Sequence, residues 1–291
     1  MAGKSSNPTV RRLELAARLR ELRIQAGRTV DEAAAELMCS PAKISRMETG
    51  GRGVQPRDIR DLSRLYNLTE AVQKELQQAA ADARKPGWWQ DYRSLDEQVR
   101  TVVALEDAAA GMFMIETLRF PGLLQTPDIT RGLLDRLRPP GEMGPDLIAD
   151  LVATRKRRRE RLIDGAIAAH FVIDEAMFKR EIGSPDIMAA QIASLLEDSE
   201  LPNVTLQVVP FATGVYPATD GSFQILTFDA DTPLHDVVYV EGLLGNFIVD
   251  TDEHVTHYRT VFEDVVERFA LPEEQSKAWL RAARQTWAAA A

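Results

Sequence analysis

The sequence predicts a mainly helical chain in two parts: a five-helix domain over residues 1–85, then an α+β domain over residues 86–291 with a mainly antiparallel sheet. Three observations lead there. The 291 residues suit two cores, because single cores stop growing at roughly 250 to 300 residues. The first 85 residues break into short apolar stripes of helical period separated by Gly, Pro and capping residues, whereas the remainder adds runs rich in β-branched residues. Charge divides at the same place. Residues 1–85 hold 16 Lys and Arg against 11 Asp and Glu, so of the totals of 35 and 44 the rest of the chain keeps 19 against 33. The overall net charge of -9 therefore hides a basic head of +5 and an acidic body of -14.

In the head, Leu15, Leu19, Leu22 and Ala26 line one side of a first helix that Gly27 ends. Thr29 and Glu32 have the spacing of a capping box and open a second helix that runs to about Met38. Ser40 with Pro41 reads as an N-cap followed by a first-turn proline. A third helix carries Ile44 and Met47 inward and stops at Gly50 and Gly51. Pro56 begins a fourth, with Ile59, Leu62, Leu65 and Tyr66 inward, and Thr69 caps a fifth that runs towards Arg84.

Lys85, Pro86 and Gly87 break the pattern just before Trp88 and Trp89, which marks the domain boundary. Beyond it the periodicity predicts helices near 95–110, 127–137 and 146–163, and strands near 112–118, 168–174, 204–209, 222–228 and 236–241. Asp250 is expected to cap a helix with Val255, Tyr258, Phe262, Val265 and Phe269 on one stripe. A last helix follows from Pro272.

Apolar residues at 45% and charged residues at 27% exclude disordered, collagenous and disulfide-scaffold classes. No run approaches the roughly 18 to 20 apolar residues of a membrane span, and the polar start at Met1–Pro8 lacks a signal-peptide core. The expectation is a cytoplasmic, nucleoid-associated protein without a membrane partner. Cys39, the single cysteine, makes no internal disulfide and no multi-thiolate metal site.

The stretch from Thr29 to Gly50 carries the functional signal. Helix, a turn of about three residues, then a capped helix is the helix-turn-helix plan, in which the second helix enters the major groove of DNA with its N-terminal residues at the base edges. Small Ala33 and Ala34 suit a close helix crossing, Cys39 and Ile44 lie beneath the turn, and Ser45 and Arg46 fall on the polar side of the reading helix. Together with SPxxISRxExG from Ser40 to Gly50, these residues closely resemble the Cro and lambda-repressor type of helix-turn-helix, the xenobiotic-response-element (XRE) family, over about residues 12–67. Two positions depart from it: Val30 stands where a phosphate-contacting Gln is common, and Met38 where a turn Gly is usual. If the turn geometry is kept, Met38 takes a positive φ. The resemblance implies base-edge contacts from Pro41, Ala42 and Arg46, with Ser45 beside them, and a guanidinium can pair bidentately with guanine. It implies phosphate contacts from Thr29, Ser40, Lys43 and Arg52, which set register rather than sequence. A helical module that docks a protein instead of DNA is the competing class.

In the body, Trp88–Trp89, PGLLQT from Pro121 to Thr126, Arg155 and Arg158, and VVYVE from Val237 to Glu241 resemble a domain of unknown function. That domain follows this helix-turn-helix in many actinobacterial regulators. The resemblance implies an antitoxin-like regulator often encoded beside a small partner protein. Six basic residues between Arg155 and Arg161 wrap a helix rather than form one stripe, since successive residues turn by about 100°. Their alternatives are a solvated face with ion pairs to the acidic body, or an anionic effector or acidic partner held by Arg155 and Arg158. Trp88 and Trp89 read as a plug at the boundary or as a ligand-stacking pair. PGLLQT reads as a turn with buried leucines or as a pocket wall.

Catalysis finds little support. His254 and His257 with Glu253 or Asp252 could face a metal, yet a pair of surface histidines explains the spacing as well. Neither His235 beside Asp236 nor His170 has a nucleophile at a recognisable spacing, and the common nucleotide, protease and hydrolase motifs do not occur. The sequence thus predicts a sequence-specific DNA-binding regulator, not an enzyme and without a cofactor. Its expected partners are double-stranded operator DNA, a second copy of itself, and a small protein from a neighbouring gene.

Overall fold

A computed structural model describes residues 7–117, 119–137, 144–230, 232, 234–242 and 245–291. Residues 1–6 of the expected first domain, and Leu118 at the end of the strand expected near 112–118, lie outside the described residues. The chain divides into two compact units. One runs to Asp91 and takes in Asp229–Leu234; the other comprises Tyr92–Phe228 and His235–Ala291.

The first unit holds α1 (Pro8–Gln25), α2 (Val30–Glu36), α3 (Pro41–Glu48), α4 (Pro56–Leu65) and α5 (Glu70–Asp82), followed by a 3-10 turn at Trp88–Asp91. Their apolar stripes meet in one core around Leu19, Ala33, Ile44, Met47, Ile59 and Leu62. Ala33 and Ala34 are both buried, as two closely crossing helices require. Gly50 follows α3 with φ +74. The backbone turn favours glycine there, and a Cβ would lie 2.6 Å from Leu13 Cδ2, so that any side chain would also require Leu13 to shift.

The second unit is built on six strands: β1 (Gly111–Glu116), β2 (Ala168–Asp174), β3 (Val204–Val209), β4 (Phe223–Thr227), β5 (Val237–Gly242) and β6 (Gly245–Val249). Between and around them run α6 (Glu97–Ala108), α7 (Pro127–Leu137), α8 (Pro145–Ile163), α9 (Ala176–Lys179), α10 (Pro185–Asp198), α11 (Asp252–Arg268) and α12 (Glu273–Ala289). None of the described helices is long and apolar enough to cross a membrane.

The sheet has the order β3-β2-β1-β4-β5-β6 and is mixed, which corrects the expectation of a mainly antiparallel one. β1, β2 and β3 are parallel, while β4, β5 and β6 are antiparallel. The reason is the connections: α7 and α8 cross over from β1 to β2, and α9 and α10 from β2 to β3. Helical crossovers join parallel neighbours. The sequence periodicity predicts none of α9, α10 and β6. α11 begins after Thr251 rather than at an Asp250 cap, and the Thr251 side chain makes no capping hydrogen bond.

Alternation along the strands sends Ile115, Val172, Ile225 and Val238 to one face, where they pack on Val255, Phe262 and Val265 of α11. The register aligns Met114, Gln224 and Tyr239 across β1, β4 and β5. Their side chains leave the sheet on the other face.

Candidate functional site

In the first unit, the fold turns α3 outward. Ile44 and Met47 are buried, while Pro41, Ala42, Ser45 and Arg46 are exposed. The helix opens at Ser40 in extended conformation with Pro41 at its start, and the Ser40 hydroxyl makes no capping hydrogen bond. Thr29 is occupied at the start of α2. Its hydroxyl accepts from the Glu32 N–H at 3.2 Å, and its own N–H donates to the Glu32 carboxylate at 2.8 Å. The Thr29 N–H donation, with the Thr29 hydroxyl also donating to the carboxylate at 3.2 Å, holds the Glu32 carboxyl below its ordinary range.

Two ion pairs fix α3. Arg23 of α1 grips Glu48 bidentately at 2.7 and 2.9 Å, and burial opposes the guanidinium's charge less than Glu48 favours it. At the other end, Lys43 Nζ donates to Asp58 Oδ1 of α4 at 2.7 Å. The Asp58 side chain is only 4% exposed. Its second oxygen accepts the Gln55 N–H at 3.2 Å. One donor of the Lys43 ammonium is therefore committed to Asp58 inside the unit, which leaves two for other acceptors. Arg46 and Arg52, by contrast, are exposed with no side-chain ion pair or hydrogen bond among the described residues.

The turn between α2 and α3 has the geometry that its glycine-rich counterparts use. Met38 takes φ +47, the Met38 N–H donates to Ala35 O and the Cys39 N–H to Ala34 O. This double bond pattern is a Schellman motif with a non-glycine residue in the left-handed position. The Met38 side chain points into solvent at 93% exposure.

Residues 14–76 match the family model of a helix-turn-helix domain. Residues 99–282 match the domain of unknown function DUF5753. The chain belongs to the DUF5753 family. No curated protein matches it.

Within the DUF5753 domain, the face of the sheet opposite α11 borders a cavity of about 160 Å³. Met114, Glu116, Gln224 and Tyr239 form its sheet wall, α6 contributes Val99, Val102 and Val103, and α8 contributes Leu151, Thr154, Arg155 and Arg158. Phe120, Gly122 and Gln125 add to the lining, as do Arg119, Ser222 and Glu241. PGLLQT thus does both things considered for it. Leu123 and Leu124 are buried, while Gly122 and Gln125 face the cavity. VVYVE also reaches the site through Tyr239 and Glu241.

The basic run of α8 is distributed among separate partners. Arg158 pairs bidentately with Glu106 at 2.5 and 2.7 Å, and Gln224 Nε2 donates to the same carboxylate at 2.9 Å. Arg159 grips Asp198 at 2.6 Å, and Arg161 donates to the carbonyls of Glu106, Ala109 and Ala166. Arg155 differs: its Nη1 is buried without a hydrogen-bond partner. Burial, with Arg158 and Arg119 adding repulsion, lowers its pKa to about 10. Across the cavity Glu116 Oε2 is likewise buried without a partner, and burial raises that carboxyl to about 7. The Arg119–Glu241 ion pair, 2.6 Å long, acts on both.

Trp88 and Trp89 do not line this cavity. They meet edge to face at 5.9 Å in the unit that ends at Asp91. Gly87 is tight against them, since a Cβ there would fall 2.3 Å from the Trp89 ring. Of the four residues expected to hold an effector, only Arg155 and Arg158 come together, and Arg158 is already paired. Glu116, Arg119, Tyr239 and Glu241 were missed as site residues. Each lies in a strand or connection whose local pattern signals burial, not chemistry.

Proposed function

We propose that the chain is a sequence-specific DNA-binding transcriptional regulator of the XRE type, reading DNA with α3, and that its DUF5753 body serves dimerisation and the binding of an effector or partner. One observation carries this reading: an exposed, unpartnered Arg46 on a helix clamped at both ends, inside the residues that match a helix-turn-helix domain. Clamping matters because a side chain that reads a base edge must arrive pre-positioned to gain from a bidentate bond. Pro41, Ala42 and Ser45 share its exposed face. Phosphates fall to Arg52, the free Ser40 hydroxyl, Thr29 and the first N–H groups of α3. Lys43 serves the interface by holding α3 on Asp58.

A single module of this kind buries little surface. Useful specificity comes from two half-sites roughly 34 to 36 Å apart read by a two-fold dimer, so a homodimer joined through the body is part of the proposal. The small protein partner, the antitoxin-like role and the actinobacterial setting rest on resemblance alone. No catalytic step and no cofactor is assigned.

Selection of bound sequences from a random duplex library tests the reading. Arg46→Ala is expected to lose about 1 to 3 kcal/mol at particular base pairs, whereas Arg52→Ala weakens all sequences and reduces the salt slope by about 1. Equal, weak binding of the unsubstituted protein to every duplex would overturn it.

A further inference from the structure

Two titratable residues that line the cavity of the DUF5753 domain each hold a buried polar atom without a hydrogen-bond partner: Arg155 at Nη1 and Glu116 at Oε2. Buried polar atoms in folded proteins are nearly always paired, because an unmade bond to a charged group forfeits its hydration without return. Ser222 bonds the Glu116 carboxyl, but the charged neighbours are taken up elsewhere. Arg158 is spent on Glu106, and Arg119 on Glu241.

Val99, Val102, Val103, Met114 and Leu151 give the lining an apolar patch, beside polar Thr154, Ser222, Gln224 and Tyr239. A volume of about 160 Å³ is close to that of cavities that accept a benzene-sized group, roughly 150 Å³. A free phosphate would satisfy Arg155 but meet Glu116 and Glu241; a simple cation would do the reverse. A molecule carrying both charges on an apolar body fits all three features.

We propose that this cavity binds a small zwitterion of the α-amino-acid class with an apolar side chain, its carboxylate received by Arg155 and its ammonium by Glu116. The proposal deepens, and rests on, the reading of the body as the effector-binding unit. The carboxylate accepts N–H donation from the guanidinium, the ammonium donates to the Glu116 carboxylate, and the side chain lies against the valines of α6.

Calorimetric titration of the full chain, without DNA, tests it. The probes are L-leucine and L-phenylalanine, with 4-methylpentanoate and 3-phenylpropanoate, which lack the ammonium, and isoamylamine and phenethylamine, which lack the carboxylate. At least one amino acid is expected to bind saturably and about tenfold or more tighter than either of its analogues. Arg155→Met and Glu116→Gln are each expected to weaken it by about tenfold or more. Arg155→Met removes a buried guanidinium with an unpaired nitrogen, and Glu116→Gln keeps the shape of a carboxyl whose neutral form burial already favours, so folding is favoured, and a thermal transition verifies it. If a variant does not fold, the analogue series on the unsubstituted protein decides. No saturable binding of either amino acid, analogues that bind as tightly, or folded variants that bind like the parent would overturn the assignment. Operator selection with Arg46→Ala needs no amino acid, so each reading can fail alone.

Discussion

Lys43 and Asp58 form an ion pair of 2.7 Å that joins the first turn of α3 to the first turn of α4, with both side chains largely out of water. Removing the lysine leaves the buried Asp58 carboxylate with the Gln55 N–H and with Arg57 at 3.9 Å, which is more damaging than losing an exposed pair but less than stranding the charge outright. Lys43→Met is therefore expected to destabilise the helical unit by about 2 kcal/mol, seen as a lowered calorimetric transition. The double variant Lys43→Met/Asp58→Asn should recover part of the loss. An unchanged transition, with a salt slope of DNA binding reduced by about 1, would make Lys43 a phosphate contact after all.

Met38 occupies a left-handed backbone position at φ +47, where a side chain clashes with its own carbonyl and glycine does not. Its side chain is in solvent and makes no compensating packing. Met38→Gly should raise the same transition, with a gain of about 1 kcal/mol, although glycine ordinarily weakens structure through unfolded-state entropy. A fall in stability would show that the turn relaxes away from this geometry in solution.

The reading helix was legible in the sequence because its determinants are local: Thr29 with Glu32, Ser40 with Pro41, and Ala33 and Ala34 all lie within one or two turns of what they cap or cross. The clamps on it were less so. Arg23 and Glu48 become partners only when α1 and α3 pack, although Asp58, three residues beyond Gln55, sits at a recognisable helix start. In the body, the sequence pattern gives no helix over Pro185–Asp198, and without that crossover the parallel pairing of β2 with β3 has no local signal. β6 gave little signal, since Phe247 and Ile248 are both exposed and the strand lacks the alternation of a half-buried one. The cavity was legible only in pieces. Arg155 stood out as one of six basic residues, but nothing local distinguishes it from Arg158; only the tertiary contact with Glu106 does.

That contact makes its own prediction. Glu106 is 4% exposed and takes three hydrogen bonds, two from Arg158 and one from Gln224. Arg158→Met leaves the carboxylate with Gln224 alone and should destabilise the body by about 3 to 5 kcal/mol. Arg158→Met/Glu106→Gln removes the stranded charge and should return much of it. Equal losses in the single and double variants would mean that the two side chains are not energetically coupled.

Glu116 gives the body a pH dependence of known sign. Its ordinary value is 4.5, and burial, opposed by Ser222 and Arg119 and reinforced by Glu241, raises it to about 7. Arg155, Arg158 and Tyr239 line the same cavity from α8 and β5. Because the folded state holds this proton more tightly than the unfolded state, the stability it confers is fully present below pH 4.5 and is lost as pH rises through about 7. The whole change is on the order of 3 kcal/mol. Other titrations cancel in a comparison with Glu116→Gln, so denaturant unfolding of both proteins at a series of pH values isolates it. The variant's advantage should grow from about pH 5 to pH 7 and level off above 8. A constant gap, or one that narrows as pH rises, would place an ordinary, solvated carboxyl at this position.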